Sequence, residues 1–78
     1  MQDELERDLG PQPIVGVMEK HSLKSHDVVA ASTEQVTHKM VSRACKGRRL
    51  SRNVQLKVLR AVNAAAGQGY TLSDLFSY

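Results

Sequence analysis

The chain has no tryptophan, one phenylalanine and two tyrosines, so aromatics make up only 4% of it. A β-sandwich or barrel would lack its usual core residues, and Val, Leu, Ala, Met and Ile must fill the interior. A single cysteine, Cys45, rules out an internal disulfide, and nothing in the sequence calls for an oxidising compartment. No apolar run approaches the ~18 residues that a membrane span needs. The N-terminus is acidic (Asp3, Glu4, Glu6, Asp8), where a signal peptide would be basic. These absences lead us to expect a soluble, cytoplasmic protein. Seventy-eight residues allow at most one domain with a small core. No strand-like alternation and no repeat is present, so the expected fold is all-α, a compact bundle of about five short helices.

The most telling absence is that of negative charge. Between Gln35 and Ser73 there is no Asp or Glu, yet eight basic residues occur: Lys39, Arg43, Lys46, Arg48, Arg49, Arg52, Lys57 and Arg60. The rest of the chain holds three basic residues and all eight acidic ones, so the net +3 divides into +8 here and −5 elsewhere. Such a block attracts polyanions, of which nucleic acid is the commonest.

Residues 1–12 read as a flexible acidic leader interrupted by Gly10-Pro11-Gln12-Pro13. It is either a solvated tail or a shield for the basic face. Pro13 suits the first turn of a helix running to about His21, with Ile14, Val17 and Met18 on one face. Ser25 is a candidate N-cap for a second, short helix, with Asp27 complementing its dipole and Val28, Val29, Ala30 and Ala31 as its small apolar residues. Residues 32–36 read as a turn. Thr37 can cap a third helix to about Lys46, ended by Gly47. A rival start is Ser32, with Gln35 three residues on as in a capping box. Ser51 can cap a fourth helix, Arg52 to Ala66, ended by Gly67. Its apolar stripe is Val54, Val58, Leu59, Ala61, Val62, Ala65 and Ala66, and Leu56 falls off it. Thr71 with Asp74 suggests one last capped turn that folds Leu72, Leu75 and Phe76 back on the core.

The third helix sorts cleanly. At ~100° per residue, Ser42, Lys46, Lys39 and Arg43 lie within about 140° of His38 on one side. Met40, Val41, Ala44 and Cys45 occupy the arc between about 200° and 340°. One arc is polar and cationic; the other must be buried. A helix of just over two turns fits the major groove of B-DNA, and Lys and Arg suit guanine acceptors or phosphates. The plain alternative is a surface helix with a solvated basic face. Arg48, Arg49 and Arg52, just past its end, lie where backbone phosphates would pass.

Ala31, Val36, Val41 and Ala44, together with THKMVSRACKGRR and VLRAVNAAAGQGYTLSDLF, resemble the helix-turn-helix domains of the lambda repressor/Cro family, over about Leu23 to Phe76. The resemblance implies that residues 13–78 form a five-helix DNA-binding domain. It implies a small prokaryotic transcriptional regulator, repressor-like or antitoxin-like, that acts on double-stranded DNA. His38, Lys39, Ser42 and Arg43 would face bases. Thr37, Lys46, Arg48, Arg49 and Arg52 would contact the DNA backbone. A gap-free reading places Gln35 where that family's turn carries a positive-φ glycine. Leu23 and Ser25 lie about two residues too far upstream, so one of the two loops flanking the second helix must be longer than usual.

Other classes have less behind them. An RNA or non-specific nucleic-acid binder could use the same cations, but RNA readers usually stack bases on aromatics, and Tyr70, Phe76 and Tyr78 lie outside the basic helix. A helical adaptor for an acidic protein is a third possibility. No nucleophile–base pair, no paired carboxylates and no phosphate loop are present, so no enzyme is expected. Cys45 and His38 cannot make a metal site by themselves, and no cofactor is implied. Cys45 reads as a small core residue, and His21 and His26 as surface or cap residues. A weak homodimer is a further expectation, through Leu56, Leu75, Phe76 and Tyr78. Leu56 could equally be a scattered surface residue, and Phe76 a lid on the bundle.

Overall fold

The computed structural model describes residues 12–77. Among them the fold is all-α, with five helices: α1 Pro13–Lys20, α2 Ser25–Ala31, α3 His38–Lys46, α4 Arg52–Ala66 and α5 Leu72–Leu75. No helix among the described residues is long and apolar enough to cross a membrane. The long α4 is the central element. It packs against α2, α3 and α5, while α1 lies on α3 and α5. The core joins Ile14 and Met18 of α1, Val28 of α2, Val36 of the following linker, Val41 and Ala44 of α3, four apolar residues of α4, and Leu75 and Phe76 at the end.

Most helix ends follow from local chemistry. Pro13 starts α1. Thr37 Oγ1 accepts from the Met40 N–H at 3.1 Å to start α3, and Ser51 Oγ accepts from the Val54 N–H at 3.3 Å to start α4. Gly47 (φ 84) and Gly67 (φ 67) end those helices in the left-handed region. α5 starts where the Asp74 carboxylate accepts from the Thr71 N–H at 2.8 Å. α1 ends without glycine. Ser22 takes φ 55, so that its N–H reaches Glu19 O (3.1 Å) and the Leu23 N–H reaches Met18 O (2.8 Å). A non-glycine residue in that region costs roughly 1–2 kcal/mol. The two closing hydrogen bonds and the packing of Leu23 against the core offset it.

Several expectations need correction. Lys24, not Ser25, is the N-cap residue of α2, because the Asp27 carboxylate accepts from the Lys24 N–H at 2.8 Å. Residues 32–37 separate α2 from α3, and Gln35 has no positive φ. Ser32 does not start α3. It closes α2, and its hydroxyl bonds both the N–H (3.0 Å) and the carbonyl (2.9 Å) of Glu34. His21 is the C-cap residue of α1, one of the two roles expected for it, and its Nε2 bonds Tyr70 Oη at 2.8 Å in a partly buried, edge-on ring contact.

Leu56 is half-buried against the core, and Gln55 beside it is buried. Because α4 is covered from three directions, its buried arc is wider than one apolar stripe. Leu75 (0% exposed) and Phe76 (3%) lie inside the chain and cannot form a dimer surface. Tyr78 and the leader lie outside the described residues, except for Gln12. That residue is buried, and its side-chain oxygen accepts from the N–H (2.7 Å) and hydroxyl (3.0 Å) of Ser77.

Candidate nucleic-acid interface

The helical wheel of α3 survives folding. Val41 and Ala44 are fully buried, and Met40 and Cys45 are half-buried against the core. Burial raises the Cys45 thiol pKa, and its Sγ lies 3.7 Å from Met18 Sδ, as suits a packing residue. His38, Lys39, Arg43 and Lys46 are exposed, with Ser42 half-buried between them. Thr37, Arg48, Arg49 and Arg52 are exposed as well.

Some of these cations have an ordinary structural use. Arg43 and Lys46 sit in the last turn of α3, where the helix dipole favours positive charge. Lys39 and Arg52 do not. They occupy the first turns of α3 and α4, where the dipole is positive and no acidic residue offsets it. Cations placed there cost a few tenths of a kcal/mol up to about 1 kcal/mol each. The same helix starts attract anions, because their first N–H groups have no partner inside the helix. Both starts thus carry a cation with no acidic residue in the same turn.

Two features were invisible in the sequence. Arg60 belongs to the acid-free block, but its guanidinium donates to both carboxylate oxygens of Glu34, at 2.6 and 2.7 Å. That pair holds the Glu34 carboxyl below the usual range. It also neutralises one of the eight block charges and ties the α2–α3 linker to α4. A carboxylate just outside the block, at 34, is the only hint the sequence offered.

The second feature is the turn after α3. Gly47 folds the chain back so that the Arg48 N–H bonds Arg43 O at 3.0 Å. Arg43, Arg48, Arg49 and Leu50 then line a cleft of about 230 Å³.

No protein-family model, curated protein or solved structure matches this chain. The resemblance to the lambda repressor/Cro family therefore rests on the residues alone. Among the described residues, no three His, Cys, Asp or Glu side chains gather as metal ligands. What the basic face can do follows from its own chemistry: hydrogen-bond donors on a short, firmly seated helix, flanked by guanidinium groups.

Proposed function

We propose that the chain binds double-stranded DNA through the exposed arc of α3, as a small transcriptional regulator of the helix-turn-helix type. The observation that carries this is the run of exposed basic residues, with no acidic residue among them in sequence, from the start of α3, past Gly47, to the start of α4, with charges set against two helix dipoles. His38, Lys39 and Ser42 are the candidates to meet base edges. Thr37, Lys46 and Arg52 flank them as candidates to meet the sugar–phosphate backbone.

The six-residue linker is longer than the three or four residues usual in this motif, so α3 would meet the groove at its own angle. The Glu34–Arg60 pair would hold that angle.

Binding of labelled duplex DNA across a salt series tests the reading. Five or six phosphate contacts would give a log–log slope of roughly −5. Selection from a random duplex pool should then enrich a short common site. A flat salt response, or no binding near ~50 mM salt, would sink the proposal. Preference for single-stranded RNA over duplex DNA in direct competition would replace it with an RNA-binding one.

A further inference from the structure

We infer that the cleft at the C-terminal end of α3 is a site for one phosphate group, held by the guanidinium groups of Arg43 and Arg49 with Arg48 beside them. The cleft is a product of the backbone. Gly47, at φ 84, reverses the chain, and the Arg48 N–H to Arg43 O hydrogen bond fixes the reversal. Leu50, half-buried against the core, anchors the far wall.

Arg43, Arg48, Arg49 and Leu50 thus line a space of about 230 Å³, and none of these described lining residues is acidic. At ~30 Å³ per water, that is room for a phosphate and several waters. The C-terminal end of a helix normally repels anions. Here the Gly47 and Arg48 N–H groups already occupy the carbonyls of Ala44 and Arg43, and the full positive charges of Arg43 and Arg49 outweigh the remaining partial negative one. Planar guanidinium groups present paired N–H donors that match two phosphate oxygens at once, which an ammonium group cannot do.

This inference moves Arg43 from the base-facing set expected from the helical wheel to the phosphate-holding set. It rests on the duplex-binding reading only for the source of the phosphate, which is either a backbone phosphodiester or free inorganic phosphate.

Two measurements on the full chain test it. In the first, the arginine Nε–Hε resonances are followed during titration with inorganic phosphate and, at matched ionic strength, with chloride. Arg43 and Arg49 should move along one saturating curve in phosphate, while Arg52 and Arg60 change alike in both salts. Equal, unsaturated shifts of all arginines in both salts would overturn the site. In the second, Arg43→Lys and Arg49→Lys, which keep the charge but lose the fork, are assayed on a selected and a random duplex. Each should weaken both duplexes by the same factor, roughly tenfold. A loss confined to the selected duplex would return Arg43 to base reading and overturn the assignment, leaving the duplex-binding reading intact. Saturation by phosphate without duplex binding would uphold the site and remove the duplex-binding reading.

Discussion

The two ends of α4 use their polar residues differently. At the C-terminal end, Asn63 accepts from the Tyr70 N–H (2.8 Å) and donates to the Tyr70 carbonyl (3.0 Å), and Tyr70 in turn bonds His21 of the α1–α2 turn. Three segments are stitched together there by side chains that end inside the chain. At the N-terminal end, Arg52 opens the helix with no acidic residue in its first turn, just after the arginines at 48 and 49. Polar groups at the first end hold the fold together. At the second, Ser51 caps the helix, while Arg52 stands against the helix dipole at a cost to the free chain. On the proposed function, fold and binding should be separable by mutation.

The largest effect should come from the element that serves both. Val41 and Ala44 are fully buried on the inner arc of α3. Val41→Asp or Ala44→Asp buries an unpaired carboxylate, at a cost of several kcal/mol against a total stability of about 5 kcal/mol for a domain this small. Neither variant should show a cooperative thermal melt. A native melt would mean that α3 is rotated from the observed arrangement and that the basic arc is misplaced.

Next come the two ends themselves. Asn63→Ala leaves the partly buried N–H and carbonyl of Tyr70 unpartnered, at about 1–3 kcal/mol. The melting temperature should fall while duplex affinity, measured well below it, stays the same. Lys39→Ala should do the reverse, with an unchanged melt and a loss of about 1–3 kcal/mol of discrimination between a selected and a random site. Arg52→Ala should weaken both sites alike and reduce the salt slope by about 1. If Asn63→Ala altered site preference, or Arg52→Ala lowered the melt, the two ends would not be separable.

The boundary between the two regimes was only partly legible in the sequence. Caps and stops at Pro13, Thr37, Gly47, Ser51 and Gly67 depend on a few adjacent residues, and they stand where the sequence puts them. The start of α2 is off by one because Ser25 and Asp27 offer competing local signals, and the carboxylate reaches the Lys24 N–H. Which arc of α3 faces out could be read from its period. The cleft beside it could not, since it depends on how Gly47 turns the chain in space. Longer ties were also hidden: His21 to Tyr70 spans 49 positions and Glu34 to Arg60 spans 26. No periodicity encodes such pairs. Leu75 and Phe76 read as folding back on the core but also as a candidate dimer surface, and the packing of α1 against α5 decides for the core.

The smallest effect concerns the cation that changed sides. Arg60 lies in the basic block by sequence but belongs to the fold by its pairing. Glu34→Gln should release it, so that affinity for random duplex rises and the salt slope steepens by roughly 1. The melt at neutral pH should change little, because the Arg60 side chain is 53% exposed and Glu34 31%.

The pH dependence has a definite sign. The hydrogen bond from Arg60 lowers the folded pKa of Glu34 below its ordinary 4.5, and the N–H of Thr71 lowers that of Asp74 below 3.8. A lowered carboxylate pKa stabilises the fold at pH above the ordinary value, and the benefit is lost as pH falls through the folded value. Stability should therefore decline below about pH 4.5, and Glu34→Gln should flatten the upper part of that decline. An unchanged acid profile in this variant would show that the pair does not persist in solution.

The Gln12–Ser77 contact bears on how the molecule comes apart. One amide oxygen holds both donors of Ser77, so the start of α1 and the segment after α5 share a fastening across 65 positions. Chain ends ordinarily fray independently and at little cost. Here the two described segments share one fastening, so amide protons near residues 15 and 77 should exchange through one common opening.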